Sequence, residues 1–395
     1  MKQFSAVLNN PAHPKYGAVT IPFPIPDGQY SQILDQLDRM EAGCVLRQDC
    51  RVDEVTGSFP VLKQLENTAV NVDELDYLAK RLESFEPGEA AQFQAVAAKQ
   101  GLHNITDLIN LTFCCRQATV ITDFSDLEKI GRDHCMNVKG GSMPMEDYEK
   151  LDGRAEALKL ILNEEGAITP YGVVYDNGME LCQEYDGRHF PAYDYRGSLL
   201  TVELALRESP VEDIRRSWLH LPVPERQLER ACIRAGADKA YEMEVKLVDS
   251  DLPRQIETVL SDDSLDSLNR MCQAIVSLPK TDRTKLAAAV ILAEASSASE
   301  ITEIAKNLDL FDFVPGVKAP EEYGRHMIRE SGRFEYDPEL DEFYDYEKYG
   351  QQRMAQEEGQ FTGQGYVSYH GTLAMEELLH RAPAEQMNQG MGGMI

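Results

Sequence analysis

Two stretches of this chain lie 198 positions apart and follow one plan: Ile21-Pro22-Phe23-Pro24-Ile25-Pro26 and Leu219-His220-Leu221-Pro222-Val223-Pro224. Each closes an apolar run with Pro-x-Pro. Each then enters a polar stretch with helical spacing, carried by Tyr30, Ile33 and Leu34 in one and by Leu228, Ala231 and Cys232 in the other. At a separation of 193, Leu75, Leu78, Leu82, Phe85 and Phe93 match Leu268, Met271, Ile275, Leu278 and Leu286. Steps of three and four are the stripe of an amphipathic helix. A short third helix is predicted from Asn104-Ile105-Thr106-Asp107-Leu108 and again from Glu300-Ile301-Thr302-Glu303-Ile304. Asp126–Arg132 then parallels Pro320–Arg325, and Glu164–Val174 parallels Glu357–Val367. Blocks recurring in one order predict a tandem duplication, with unit one at about 1–178 and unit two at about 198–372.

Each unit reads β-rich, then helical, then mixed, so the expected class is α+β. Phe4–Leu8, Ala18–Ile21 and Leu200–Leu206 are β-prone openings, and Gly172–Tyr175 and Gly365–Tyr369 are closing strands. The expected domains are 1–62 (α+β), 63–135 (helical), 136–197 (α+β and linker), 198–260 (α+β), 261–330 (helical) and 331–381 (acidic α+β). The linker, Asp176 to Gly197, carries Phe190-Pro191 and several tyrosines, which suggests that it packs. Residues 382–395 have no periodicity and are expected to be a disordered tail.

The sequence offers no enzyme constellation. Gly140-Gly141-Ser142-Met143-Pro144 lacks the second glycine of a nucleophile elbow, and no Gly-Lys-Ser/Thr forms a P-loop. None of the eight cysteines forms a C-x-x-C pair, and the eight histidines are scattered. No catalytic residue, metal site or cofactor is predicted. No run of 18 apolar residues exists, and Met1 to Pro11 shows no apolar signal core, so a cytoplasmic chain outside the membrane is expected.

Charge points further. Lys and Arg total 39 against 67 Asp and Glu, a net charge of −28. That balance argues against gripping nucleic acid or an anionic membrane, and favours a basic partner. Duplex DNA carries one charge per about 1.7 Å of axis, so 28 net charges correspond to about 48 Å of duplex. The densest run is Glu335, Asp337, Glu339, Asp341, Glu342, Asp345 and Glu347, without a Lys or Arg between them. Asp337-x-Glu339-x-Asp341 imitates the start of a calcium loop. Glu342 occupies its glycine position, however, and Lys348 its bidentate carboxylate position, so calcium is not expected. Tyr336, Phe343, Tyr344 and Tyr346 are interleaved with the acids and are expected to hold them in place by packing.

Three blocks carry a family resemblance: Glu321-Glu322-Tyr323-Gly324-Arg325-His326-Met327-Ile328-Arg329-Glu330-Ser331-Gly332, Tyr344-Asp345-Tyr346-Glu347-Lys348-Tyr349-Gly350, and Gly365-Tyr366-Val367-Ser368-Tyr369-His370-Gly371. The chain resembles ArdA-type antirestriction proteins, and Ile21-Pro22-Phe23-Pro24 looks like that family's opening strand. The resemblance implies an elongated, non-catalytic DNA mimic built of α+β, helical and α+β domains. Such proteins dimerise through the C-terminal domain. They occupy the DNA groove of type I restriction–modification complexes, blocking cleavage and often methylation. Here two units in one chain imply either a monomeric pseudo-dimer or a homodimer.

The expected phosphate-mimicking residues are Asp73, Glu74 and Asp76; Asp123, Asp126 and Glu128; Asp262, Asp263 and Asp266; and the acids of the 335–347 run. The competing reading is an acidic adaptor or inhibitor, not a mimic, that acts on another defence or mobile-element protein through one patch. Unit one is sparser in acids at the matching place, with Glu146, Asp147, Glu149 and Asp152, so unit two is the expected principal surface.

Overall fold

A computed structural model describes residues 3–207, 216–237, 240–260, 263–332 and 335–380. The chain opens with β1 (Phe4–Asn9), β2 (Ala18–Phe23), α1 (Asp27–Arg39), β3 (Cys50–Gly57) and β4 (Ala69–Val70). These strands form an antiparallel sheet in the order β2-β1-β3-β4. Alternation in β1 buries Phe4, Ala6 and Leu8 on the face that meets α1, whose Tyr30, Ile33, Leu34 and Leu37 recur at helical steps. Next come α2 (Val72–Glu83), α3 (Glu89–Gln100) and α4 (Ile105–Cys114). Leu75, Leu78, Leu82 and Phe93 are buried there, as their spacing predicts. Sheet and helices share one continuous core from Phe4 to Cys115, with no break near residue 62.

Next are β5 (Thr119–Ile121), α5 (Leu127–Val138), α6 (Met145–Lys150), α7 (Gly153–Asn163), β6 (Ala167–Thr169) and β7 (Gly172–Tyr175). The sheet order is β5-β7-β6, antiparallel, over a small core of Ile121, Ile130, Ala157, Leu160 and Tyr175. The segment after β7 has no helix or strand, but it packs. Tyr185 is buried, Tyr77 donates its hydroxyl to the Pro191 carbonyl at 2.7 Å, and the Phe190 ring lies 4.3 Å from that of Tyr77.

A similar, not identical, order of elements follows. It runs β8 (Leu200–Leu206), β9 (Ser217–Leu221), α8 (Glu225–Ala235), β10 (Met243–Ser250), α9 (Arg254–Glu257), α10 (Leu265–Ser277), α11 (Arg283–Leu292) and α12 (Ala298–Lys306). The series ends with β11 (Phe311–Pro315), α13 (Pro320–Arg329), α14 (Tyr346–Glu357), β12 (Gln360–Phe361), β13 (Gly365–Tyr369) and α15 (Met375–Leu379). The sheet orders β10-β8-β9 and β11-β13-β12 match β3-β1-β2 and β5-β7-β6. Both Pro-x-Pro segments carry a cis bond, Phe23–Pro24 and Leu221–Pro222. The fold is α+β.

Compactness divides the chain differently from the repeat. One compact unit is 1–198 with 202–245, and the other is 199–201 with 246–395. Helix α8, from the second series of elements, therefore sits with the first unit. Its arginines explain why, as described below. The expected tail, 382–395, and the candidate Asp262 lie outside the described residues.

Candidate functional site

The acidic run is carried by α13, α14 and the 3-10 turn Pro338–Phe343 between them. The two helices cross at glycines. A Cβ on Gly324 would stand 1.9 Å from the Tyr346 carbonyl oxygen, and one on Gly350 would stand 1.9 Å from that of Pro320. Backbone therefore packs on backbone, which is why the two Tyr-Gly pairs occur where they do. Gly324→Ala is expected to cost about 1–3 kcal/mol or more, because the clashing atoms are main chain and have no rotamer to change. Thermal unfolding measures it. Beneath the pair, Val317, Tyr323, Met327 and Tyr366 form the core, and the Tyr323 hydroxyl donates to Glu357 at 2.5 Å.

Around the turn the seven carboxylates divide. Glu335, Asp337, Glu339, Glu342, Asp345 and Glu347 are exposed. Asp337 caps the 3-10 turn through the Glu339 N–H at 2.9 Å, and Asp345 caps α14 through the Lys348 N–H at 3.0 Å. Gln351 donates to Glu347 at 3.1 Å. Asp341 points inward. It accepts from Arg329 Nε at 3.0 Å, from the Tyr336 hydroxyl at 2.8 Å, and also from the Tyr346 hydroxyl and Arg329 Nη2. The Tyr346 hydroxyl bond, then the Arg329 guanidinium, hold its carboxyl down at about 2. Its stabilising contribution is therefore complete above its ordinary value near 3.8 and fades as pH falls toward 2. The rings of Tyr336, Tyr344 and Tyr346 follow one another at 5.9 Å, while Phe343 is 81% exposed and does not pack with them.

The matching place in the first unit has the same glycine crossing. A Cβ on Gly131 would lie 1.8 Å from the Gly153 carbonyl oxygen. Asp123, Asp126 and Glu128 are exposed here, yet each has a local task. Asp123 holds Ser125, and Asp126 caps α5 through the Lys129 N–H at 2.9 Å. Glu128 takes Arg132 Nε at 2.7 Å and the Arg154 N–H at 2.9 Å, and the Arg132 bond leads in lowering its pKa. In the second unit Asp263 is half-buried and accepts from the Ala298 N–H at 2.9 Å, whereas Asp266, in the first turn of α10, is exposed.

Asp73, Glu74 and Asp76 are not on the surface, which corrects the expectation from sequence. All three are buried at the start of α2. Arg230 grips Asp73 with two bonds, Nε at 2.8 Å and Nη2 at 3.0 Å. Tyr185 donates to Glu74 at 2.8 Å, and burial pushes that carboxyl's pKa up. Lys80 and the Ile25 N–H hold Asp76 at 2.9 and 2.7 Å. From the same helix as Arg230, Arg226 reaches Asp35 and Asp38 of α1 at 2.6 and 2.8 Å. Arg234 donates to Asn71, the cap of α2, at 2.6 Å. The physical reason is plain: a helix N-terminus stabilises carboxylates, and once buried Asp73 is paired with Arg230 and Arg234, Asp76 with Lys80, and Glu74 with the Tyr185 hydroxyl. Sequence reasoning missed this lock. Its signal was Arg226, Arg230 and Arg234 at four-residue spacing, one basic face in an acidic chain.

Residues 214–368 match the model of the antirestriction protein ArdA family. This part of the chain is an ArdA-type antirestriction region. It runs from β9 to β13 and so contains the acidic segment with its α13–α14 support. Residues 1–213 lie outside this ArdA match. No curated protein matches the chain. Among the described residues, no helix is long and apolar enough to cross a membrane.

Proposed function

We propose that this chain is a DNA mimic that occupies the DNA-binding groove of a type I restriction–modification complex in the cytoplasm. The carrying observation is the set of six outward carboxylates of residues 335–347, mounted on a backbone-packed helix pair inside the ArdA region. They stand in for phosphates and pair with the Lys and Arg of the groove. No bond is made or broken in this reading, and no cofactor or metal takes part. Asp266 extends the anionic surface in the second unit, with Asp123 and Asp126 in the first as further contributors. Each exposed ion pair contributes about 0–1 kcal/mol, so affinity is the sum of many pairs and falls steeply with salt.

The test is competition with a duplex oligonucleotide for a type I methyltransferase core at two salt concentrations. The full chain is expected to displace the duplex and to lose affinity with salt. Binding indifferent to salt, or no displacement, overturns the proposal.

The chain is further taken as a homodimer rather than a monomeric pseudo-dimer. Strand β6 is a sheet edge whose Ile168 is 89% exposed, and Leu162 of the adjoining α7 is 77% exposed. An apolar edge strand is a template for pairing with another chain. Sedimentation is expected to give twice the 44.4 kDa chain mass. A species of single mass answers against it.

A further inference from the structure

One carboxylate of the acidic run has a different task from its neighbours. Asp341 has four donors on its two oxygens: both Arg329 nitrogens and the hydroxyls of Tyr336 and Tyr346. Three of the four fall on Oδ1 and Arg329 Nη2 takes Oδ2, so the negative charge is already paired with a guanidinium of its own chain. Asp341 therefore does not act as a phosphate surrogate. The cluster instead fixes the chain at the middle of the turn, while the caps at Asp337 and Asp345 fix it at the two ends. The Arg329 guanidinium lies 5.5 Å from the Tyr336 and Tyr346 ring centres, placing one positive charge behind a row of like charges that repel each other.

The first unit supplies an internal comparison. At the 193-residue offset, Asp341, Arg329, Tyr336 and Tyr346 correspond to Tyr148, Met136, Met143 and Gly153. That unit keeps the glycine crossing but has neither the cluster nor the dense acid run. The cluster accompanies the acid array, whereas the helix pair forms without it.

We propose that Asp341 is a positioning residue: with Arg329, Tyr336 and Tyr346 it holds the 335–347 turn in the single geometry in which its six outward carboxylates meet a basic groove together. Ordering six flexible acids before binding removes an entropic cost that the complex otherwise bears. The inference rests on the mimic reading.

The experiment uses the full chain and a type I methyltransferase core, with affinity taken at several salt concentrations. Tyr336→Phe/Tyr346→Phe keeps every charge and both rings. It is expected to weaken binding about tenfold with the salt slope unchanged, because the number of ion pairs is the same. Asp341→Asn is expected to do likewise. Glu339→Gln, in contrast, is expected to lower the slope by about one with a small change in affinity.

Wild-type affinity in the double tyrosine variant overturns the positioning role. So does an Asp341→Asn slope that falls as far as that of Glu339→Gln. A Glu339→Gln slope equal to wild type counts against the mimic reading instead, so the two failures are told apart. Far-UV circular dichroism checks that α13 and α14 persist. Should the double variant lose them, Tyr336→Phe alone is used, since Tyr336 lies outside both helices.

Discussion

Replacing Arg230 with alanine is expected to cost about 3–5 kcal/mol, the loss typical of stripping one partner from a buried ion pair. Arg230 is 13% exposed and Asp73 9%. The mutation removes two charge-assisted bonds to Asp73 and one to the Gly43 carbonyl at 2.9 Å. Asp73 then stays buried with Arg234 Nε, 3.5 Å away, as its remaining guanidinium partner. The thermal midpoint of the first compact unit is expected to fall by roughly 6–20 °C, from about 2–4 °C per kcal/mol at this size. Arg230→Met/Asp73→Leu is expected to lose less than the single change, because removing both charges strands neither. A single variant within about 1 kcal/mol of wild type would show that α8 is held by its apolar face alone.

The largest effect on binding is expected from neutralising the outward carboxylates together: Glu335→Gln, Asp337→Asn, Glu339→Gln, Glu342→Gln, Asp345→Asn and Glu347→Gln. Asparagine keeps the capping oxygen at 337 and 345, so the turn and α14 retain their starts. Stability is expected to hold or rise, since six like charges no longer repel. At about 0.5 kcal/mol for each exposed pair, binding to the methyltransferase core falls roughly 100-fold, with a shallower salt dependence. An acidic adaptor working through one apolar patch predicts near-wild-type affinity in the same variant. Titration at low and physiological salt decides between the two.

The helical stripes and the glycine-led strands were legible because both rest on local spacing. Leu75, Leu78 and Leu82 recur every three or four residues, and burial follows from that alone. The acids of α2 misled for the complementary reason. A carboxylate run at a helix start is ordinarily solvated, and nothing within residues 72–83 reveals that arginines more than 150 positions later cover it. Asp341 was equally opaque. By residue type it is one of seven, and only the convergence of Arg329, Tyr336 and Tyr346 sets it apart. The aromatic interleaving did signal a fixed turn, although Phe343 takes no part in its ring series.

The arginine face of α8 also bears on assembly. Such a contact joins two unlike surfaces, and if every repeat could both give and receive it, chains would add end to end without closing. Helix α1 stands where α8 stands in the other series of elements. At the 198-residue offset it has Gly28, Gln32 and Gln36 in place of Arg226, Arg230 and Arg234. With no guanidinium at these three positions to offer the next molecule, the donor side is spent within the polypeptide, and this contact does not propagate into a filament.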